Sequence, residues 1–182
     1  MSRRSLLIAT ALVLAGCASS PPADPSAKRR EIDAKVDNAM AELQRAGSTR
    51  ELVGRAEGVL VVPDVVTAGF IVGGSYGQGA LRKKGQTTGY YSVSSGSVGL
   101  LAGAQSKTLY LLFMTSDALR KFEQSNGWTV GADASVAVVS VGADGRIDSQ
   151  TAQKEVIGFV RNQSGFMANL SLEGTKISPI DL

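Results

Sequence analysis

Between Lys28 and Ala46 the apolar residues Ile32, Val36, Ala39, Met40 and Leu43 recur at spacings of three and four, with charged residues between them. That period predicts an amphipathic helix over this stretch. Gly47 is placed to stop it, and Ser48 with Glu51 three positions on has the form of a capping box opening a second short helix through about Ala56. The apolar stripe has two uses open to it. It can pack on the core of the domain, or it can lie on a membrane surface, since Lys28, Arg29 and Arg30 cluster at its start.

After Gly58 the period shortens to that of strands. Runs rich in β-branched and small residues occur at Val59 to Val62, Gly69 to Leu81, Thr88 to Val93, Ser97 to Gln105, Leu109 to Met114, Ala132 to Val141, Ile157 to Asn162 and Phe166 to Leu172. Short strands at regular spacing predict an antiparallel sheet or barrel. Lys83-Lys84-Gly85 and Ala143-Asp144-Gly145 supply turn chemistry between runs. One helix interrupts the series, from about Ser116 to Ser125, with Ala118, Leu119 and Phe122 as its apolar positions and Asn126-Gly127 as its stop. The expected fold is therefore α+β: a single β-rich domain with a curved or barrel-like antiparallel sheet, N-terminal amphipathic helices and one internal helix.

The chain has 21 glycines, concentrated within the strand runs. Glycine there costs entropy and offers no side chain to pack, so it marks bends or close approach of backbones. Gly73, Gly77 and Gly99 are expected where a side chain would collide. Gly69, Gly73 and Gly77 also have the spacing of a transmembrane glycine zipper, but the apolar stretch is too short to span a bilayer.

The N-terminus changes the picture. Arg3 and Arg4, an apolar run from Leu6 to Leu14 and small residues before Cys17 form a secretion signal. Leu14-Ala15-Gly16-Cys17 fits the lipobox of bacterial lipoproteins, in which the cysteine is acylated and the chain is cut just before it. The expected organisation is a signal peptide over 1–16, an acylated cysteine and flexible tether over 17–27, and a folded domain over 28–182. The tether holds three of the five prolines and no large apolar side chain, and reaches about 35 Å at most. Ala18 stands where aspartate would retain the lipoprotein at an inner membrane. In a Gram-negative cell the outer membrane is then favoured, with the domain facing the periplasm or the cell surface.

Processing also removes Arg3 and Arg4, which lowers the formal charge from the +3 of the whole chain to +1 and leaves no global argument for nucleic-acid binding. The lone cysteine is consumed by acylation, so neither disulfides nor thiol chemistry are expected. Gly73-Gly74-Ser75-Tyr76-Gly77 matches the nucleophile elbow pattern G-x-S-x-G, yet the chain has no histidine to complete a Ser-His-Asp triad. The same absence removes the usual zinc sites. Gly77-Gln78-Gly79 begins a dinucleotide loop that Arg82 breaks. No enzyme activity, metal or cofactor is expected.

Several motifs together carry a resemblance. Ala56 to Pro63, then Gly69 to Gly79, Gly96 to Leu100, Gly103 to Ser106, Leu111 to Met114, Gly131 to Ser135 and Leu170 to Gly174 occur in the order of the SYLF domain family, which the chain resembles over most of residues 48 to 182. The family includes bacterial lipoproteins and eukaryotic proteins linked to phosphoinositides and actin. The resemblance implies a non-enzymatic lipid-binding module. Actin binding does not transfer to an envelope lipoprotein, which meets no actin in its own cell. The expected ligand is membrane phospholipid, held beside the covalent acyl anchor at Cys17. Two basic clusters are the candidate contacts: Lys28, Arg29 and Arg30 at the helix start, and Arg82, Lys83 and Lys84 at a hairpin tip. The alternative is an envelope scaffold that binds a protein or peptidoglycan and uses its acyl chains only for retention.

Overall fold

A computed structural model describes residues 24–45, 47–69, 72–98, 103–139, 153–163, 165–167 and 171–182. The segment expected as a signal peptide, Cys17, Gly99 and the turn expected at Ala143-Asp144-Gly145 lie outside the described residues. Helix α1 (Pro25–Leu43) and helix α2 (Gly47–Arg55) precede strands β1 (Gly58–Gly69), β2 (Val72–Lys83), β3 (Gln86–Val98) and β4 (Gly103–Phe113). Helix α3 (Ser116–Glu123) is followed by β5 (Trp128–Thr129), β6 (Ala137–Val138), β7 (Val156–Asn162), β8 (Gly165–Phe166) and β9 (Lys176–Pro179).

The strands form one sheet in the order β5-β9-β3-β2-β1-β4-β7-β6, with β8 against β7. Every pairing is antiparallel except β6 with β7. The sheet curls strongly into a half-barrel, and the α+β expectation holds. Alternation along the central strands divides the side chains between two cores. Leu60, Leu111 and Phe113 face α3, where Phe122 lies 4.7 Å from Phe113 and 5.5 Å from Trp128 between ring centroids. Val59, Val61, Tyr110, Leu112 and Phe159 face the opposite way, against Ile32, Val36, Ala39 and Leu43 of α1. The apolar stripe of α1 is thus core, the first of the two uses open to it.

The helix begins earlier than its apolar period suggests. Asp24 caps it by accepting from the Ser26 amide at 2.9 Å, and Pro25 takes the first helical position, where its missing N–H costs nothing. Residues 25 to 27 therefore belong to α1 and not to the tether. The helix also ends earlier, at Leu43, and Gly47 opens α2 instead of stopping α1. The corner is fixed from α2: Thr49 donates its hydroxyl to Leu43 O and Arg50 Nε donates to Gln44 O at 3.0 Å. The Ser48–Glu51 capping box does not form, since Ser48 Oγ is buried without a hydrogen-bond partner among the described residues.

Pro63 ended the strand pattern in sequence, but β1 continues through it. Val61 pairs with Ala80 and Val66 with Tyr76, so β1 carries one residue more than β2 across this interval. The extra residue is a bulge at Pro63-Asp64, with Asp64 in the left-handed region at φ 36°. The bulge bends the strand while keeping Val62 and Val65 on the same core face. Beside it runs β2, where a Cβ on Gly79 would come within 2.0 Å of Val61 O and 2.7 Å of Val62 Cα, and one on Gly77 within 3.0 Å of Val65 Cα. Close backbone approach at Gly77 is as expected, and Gly79 is the tighter position. Gly69 lies in β1 and Gly73 and Gly77 in β2, so the zipper spacing is carried by strands. Among the described residues no helix is long and apolar enough to cross a membrane.

Three strand expectations need correction. The run from Ser97 to Gln105 is divided between the end of β3 and the start of β4. Gly131, Ala132 and Asp133 form a turn in which Asp133 accepts from the Thr129 amide at 2.6 Å, leaving Ala137–Val138 as the strand among the described residues of that run. The side-chain acceptor competes there with the ladder. Among the described residues of the run from Phe166, strand is found at Phe166 alone, in β8, whereas β9 gave no periodic signal because only Ile177 of its four residues is buried.

Candidate functional site

Lys84 and Gly85 take φ 49° and 81°, the left-handed pair that a two-residue hairpin turn requires, and so join β2 to β3 where the turn chemistry placed it. The base of this hairpin packs under the first turns of α1. Asp33 is the junction: its carboxylate accepts from Thr87 Oγ1 at 2.7 Å and from Tyr90 Oη at 2.9 Å, and lies 3.4 Å from Arg82 Nη2. Arg82 Nη2 also donates to Asp33 O at 3.3 Å and to Asp37 Oδ1 at 2.7 Å. Two basic clusters some fifty positions apart in sequence are thereby brought to one region.

Within that region the six cations differ in what they face. The Arg82 side chain is 13% exposed and tied to Asp33 and Asp37, so its charge serves the α1 to β2 contact. Lys83 binds Glu123 of α3 at 2.9 Å. Lys28 pairs with Glu31 at 3.1 Å, and Arg30 lies 3.8 Å from Asp24. Hydrogen bonds and the charges of Lys35 and Lys28 hold the Glu31 carboxyl below its usual range. Arg29 and Lys84 are exposed and have no carboxylate within 4.0 Å among the described residues. Burial raises the Tyr90 phenol above its ordinary pKa, as do its hydrogen bond to Asp33 and that charge, while Arg29 and Arg82 oppose the rise. Arg29 therefore stands close enough to Tyr90 to be felt there.

Ser75, the serine of the G-x-S-x-G pattern, is buried in the middle of β2 with its hydroxyl 2.7 Å from Thr67 Oγ1 on β1. A buried mid-strand hydroxyl spent on a cross-strand hydrogen bond has none of the exposure of a nucleophile elbow.

A feature the sequence did not disclose lies between the start of α1 and the outer halves of β1 and β2. Here the helix no longer covers the sheet, and a groove of about 510 Å³ opens between Lys28, Ile32 and Lys35 on one side and Val66, Ala68 and Tyr76 on the other. Val66 and Tyr76 pair directly across the two strands. Lys35 bridges the groove to the bulge, 3.0 Å from Asp64, and that contact followed by the one to Glu31 raises its pKa. The outward period of Val66 was hidden in sequence because Pro63 made β1 look finished.

By its architecture the molecule is an α+β domain built on a curled half-barrel sheet clasped by helices on both faces. Residues 94–181 match the family described as Ysc84, Las17-binding protein actin regulator. The match assigns residues 94–181 to the SYLF domain family. Of the motifs that carried the resemblance, those from Gly96 onward fall inside the matched span, and Ala56 to Gly79 lie before it. No curated protein matches the chain.

Proposed function

We propose that this protein is a non-enzymatic, lipid-anchored envelope protein whose SYLF domain binds the phospholipid surface to which it is tethered. The observation that carries the reading is the short distance between lipobox and fold. The Asp24 cap of α1 lies seven positions after Cys17, a span of about 23 Å even when fully extended. The start of α1 then stays beside the bilayer, where a weak affinity is amplified by proximity. Arg29 and Lys84, the two of the six clustered cations with no carboxylate within 4.0 Å among the described residues, supply attraction to anionic head groups at roughly 1 kcal/mol each. With alanine at position 18, the anchor is assigned to the outer membrane if the cell is Gram-negative.

The family's description as Las17-binding supports a second reading, in which the domain holds a protein partner and the acyl chains only retain it. Flotation of residues 18–182, which keep every described residue, separates the two. Binding to phosphatidylglycerol-containing vesicles that weakens with salt supports the lipid reading. Absence of flotation with any vesicle, together with capture of an envelope protein or of peptidoglycan, supports the scaffold.

A further inference from the structure

Among the described residues, Val66, Val72 and Tyr76 are the exposed large apolar side chains, at 46%, 72% and 55% of full exposure. They are not scattered. Val72, Gly74 and Tyr76 alternate along one face of β2, and the β1 register sets Val66 opposite Tyr76 and Ala68 opposite Gly74 on that same face. The face is the one that α1 covers further along, at Ala80, and leaves bare here, because the helix crosses the sheet from Tyr90 to Tyr110 and Arg161 instead of running along β2. The result is a continuous apolar ribbon of two valines, an alanine and a tyrosine, rimmed across the groove by Lys28 and Lys35 with their ion-pair partners Glu31 and Asp64.

We propose that this ribbon is the surface by which the domain seats in the bilayer interface, its valines in the acyl region and the Tyr76 phenol and the rim lysines at head-group level. The inference rests on the lipid-binding reading and names the face that performs it. Three observations select a bilayer as the occupant. Lys28, one turn from the cap at Asp24, lines the groove, so the ribbon lies beside the first turns of α1, the described part of the chain that follows the lipobox most closely in sequence. The order aliphatic, tyrosine, lysine matches the layering of a membrane interface, where aromatic rings with a polar tip and snorkelling lysines border the apolar zone. The alternative apolar stripe, that of α1, is fully engaged on the sheet and could reach lipid only by undoing the core.

The test uses residues 18–182 with vesicles of phosphatidylcholine and phosphatidylglycerol. Tyr76→Trp places a reporter in the ribbon, while Trp128 is buried and its signal is subtracted using the parent chain. We expect the reporter's emission to shift to the blue on vesicle addition and to be quenched by lipids brominated on their acyl chains. Val66→Ser, Val72→Ser and Tyr76→Ser combined should lower partitioning by roughly tenfold to a hundredfold, from the apolar area each withholds. Flotation of the parent chain with an unshifted, unquenched reporter would overturn the ribbon and leave lipid binding standing on another face. No flotation of the parent chain would remove the lipid reading and this inference with it. If the triple variant loses its native circular dichroism, the reporter alone decides.

Discussion

The Tyr90 hydroxyl donates to the Asp33 carboxylate at 2.9 Å, across 57 positions of sequence. This contact joins the first helix to the hairpin between β2 and β3, and the other Asp33 oxygen takes Thr87. Asp33→Ala should remove both hydrogen bonds and leave the largely buried Arg82 with Asp37 as its one carboxylate. Loss of a charged acceptor of this kind costs about 2 kcal/mol. Urea unfolding should show that loss for Asp33→Ala and a smaller one, about 1 kcal/mol, for Tyr90→Phe.

Gly79 and Gly74 lie in the same strand, yet a Cβ on the first meets Val61 O at 2.0 Å whereas one on the second meets nothing nearer than Ser95 O at 3.8 Å. Gly79→Ala must push two backbones apart at the bulge and should destabilise by about 3 kcal/mol or more. Gly74→Ala should be close to neutral, and Gly77→Ala, with contacts at 3.0 Å, should fall between. Thermal melts of the three variants give the order directly.

Tyr110 is fully buried and donates to Ala39 O at 3.1 Å. Burial first, and then the charge of Glu42, push its pKa from 10.0 up to about 12. The folded protein thus keeps this proton where the unfolded chain loses it. The stabilisation is whole below pH 10 and is lost as the pH rises to about 12, a change of about 3 kcal/mol for two pKa units. Tyr90 and Tyr91 shift in the same direction. Denaturation followed from pH 9 to 12 should show stability falling across this window, and Tyr110→Phe should flatten part of the fall.

Cys17→Ser should abolish acylation, because the chain has no other thiol. With roughly 0.8 kcal/mol per buried CH₂, two acyl chains make anchoring effectively permanent, and their loss should move the protein out of the membrane fraction. Fractionation with intact-mass measurement checks this. A variant of unchanged mass that stays in the membrane fraction would refute the lipoprotein reading.

Neutralising Arg29 and Lys84 together to glutamine should weaken binding of residues 18–182 to anionic vesicles by about thirtyfold at low salt and by little at high salt. Arg82→Gln should act differently. Its partners are Asp33 and Asp37, so it should lower the melting temperature more than the vesicle affinity. Changing Lys28, Arg29 and Arg30 together with Arg82, Lys83 and Lys84 should weaken binding more than changing either cluster.

Local pattern reached a good part of this molecule. The stripe of Ile32, Val36, Ala39 and Leu43, the hairpin turn at Lys84-Gly85 and the helix from Ser116 all follow from residue spacing and turn chemistry, which act over a few neighbours. The strand character of Gly73 and Gly77 was likewise legible. What failed was set by distant partners. Whether Pro63 ends β1 or bulges through it depends on β2 and β4 lying alongside, and β9 exists because β3 and β5 offer it a ladder.

The sequence by itself determined the class of fold, because apolar periods and glycine placement are properties of contiguous residues. The tertiary structure alone decided which cations are free. Of six residues that look equivalent as two basic runs, Arg82 and Lys83 meet carboxylates of α1 and α3 that arrive only on folding, Lys28 and Arg30 pair locally with Glu31 and Asp24, and Arg29 and Lys84 have no carboxylate within 4.0 Å among the described residues. It also decided where the apolar surface ends. A helix that crosses the sheet covers Ala80 and leaves Tyr76 uncovered, so the ribbon stays open to solvent.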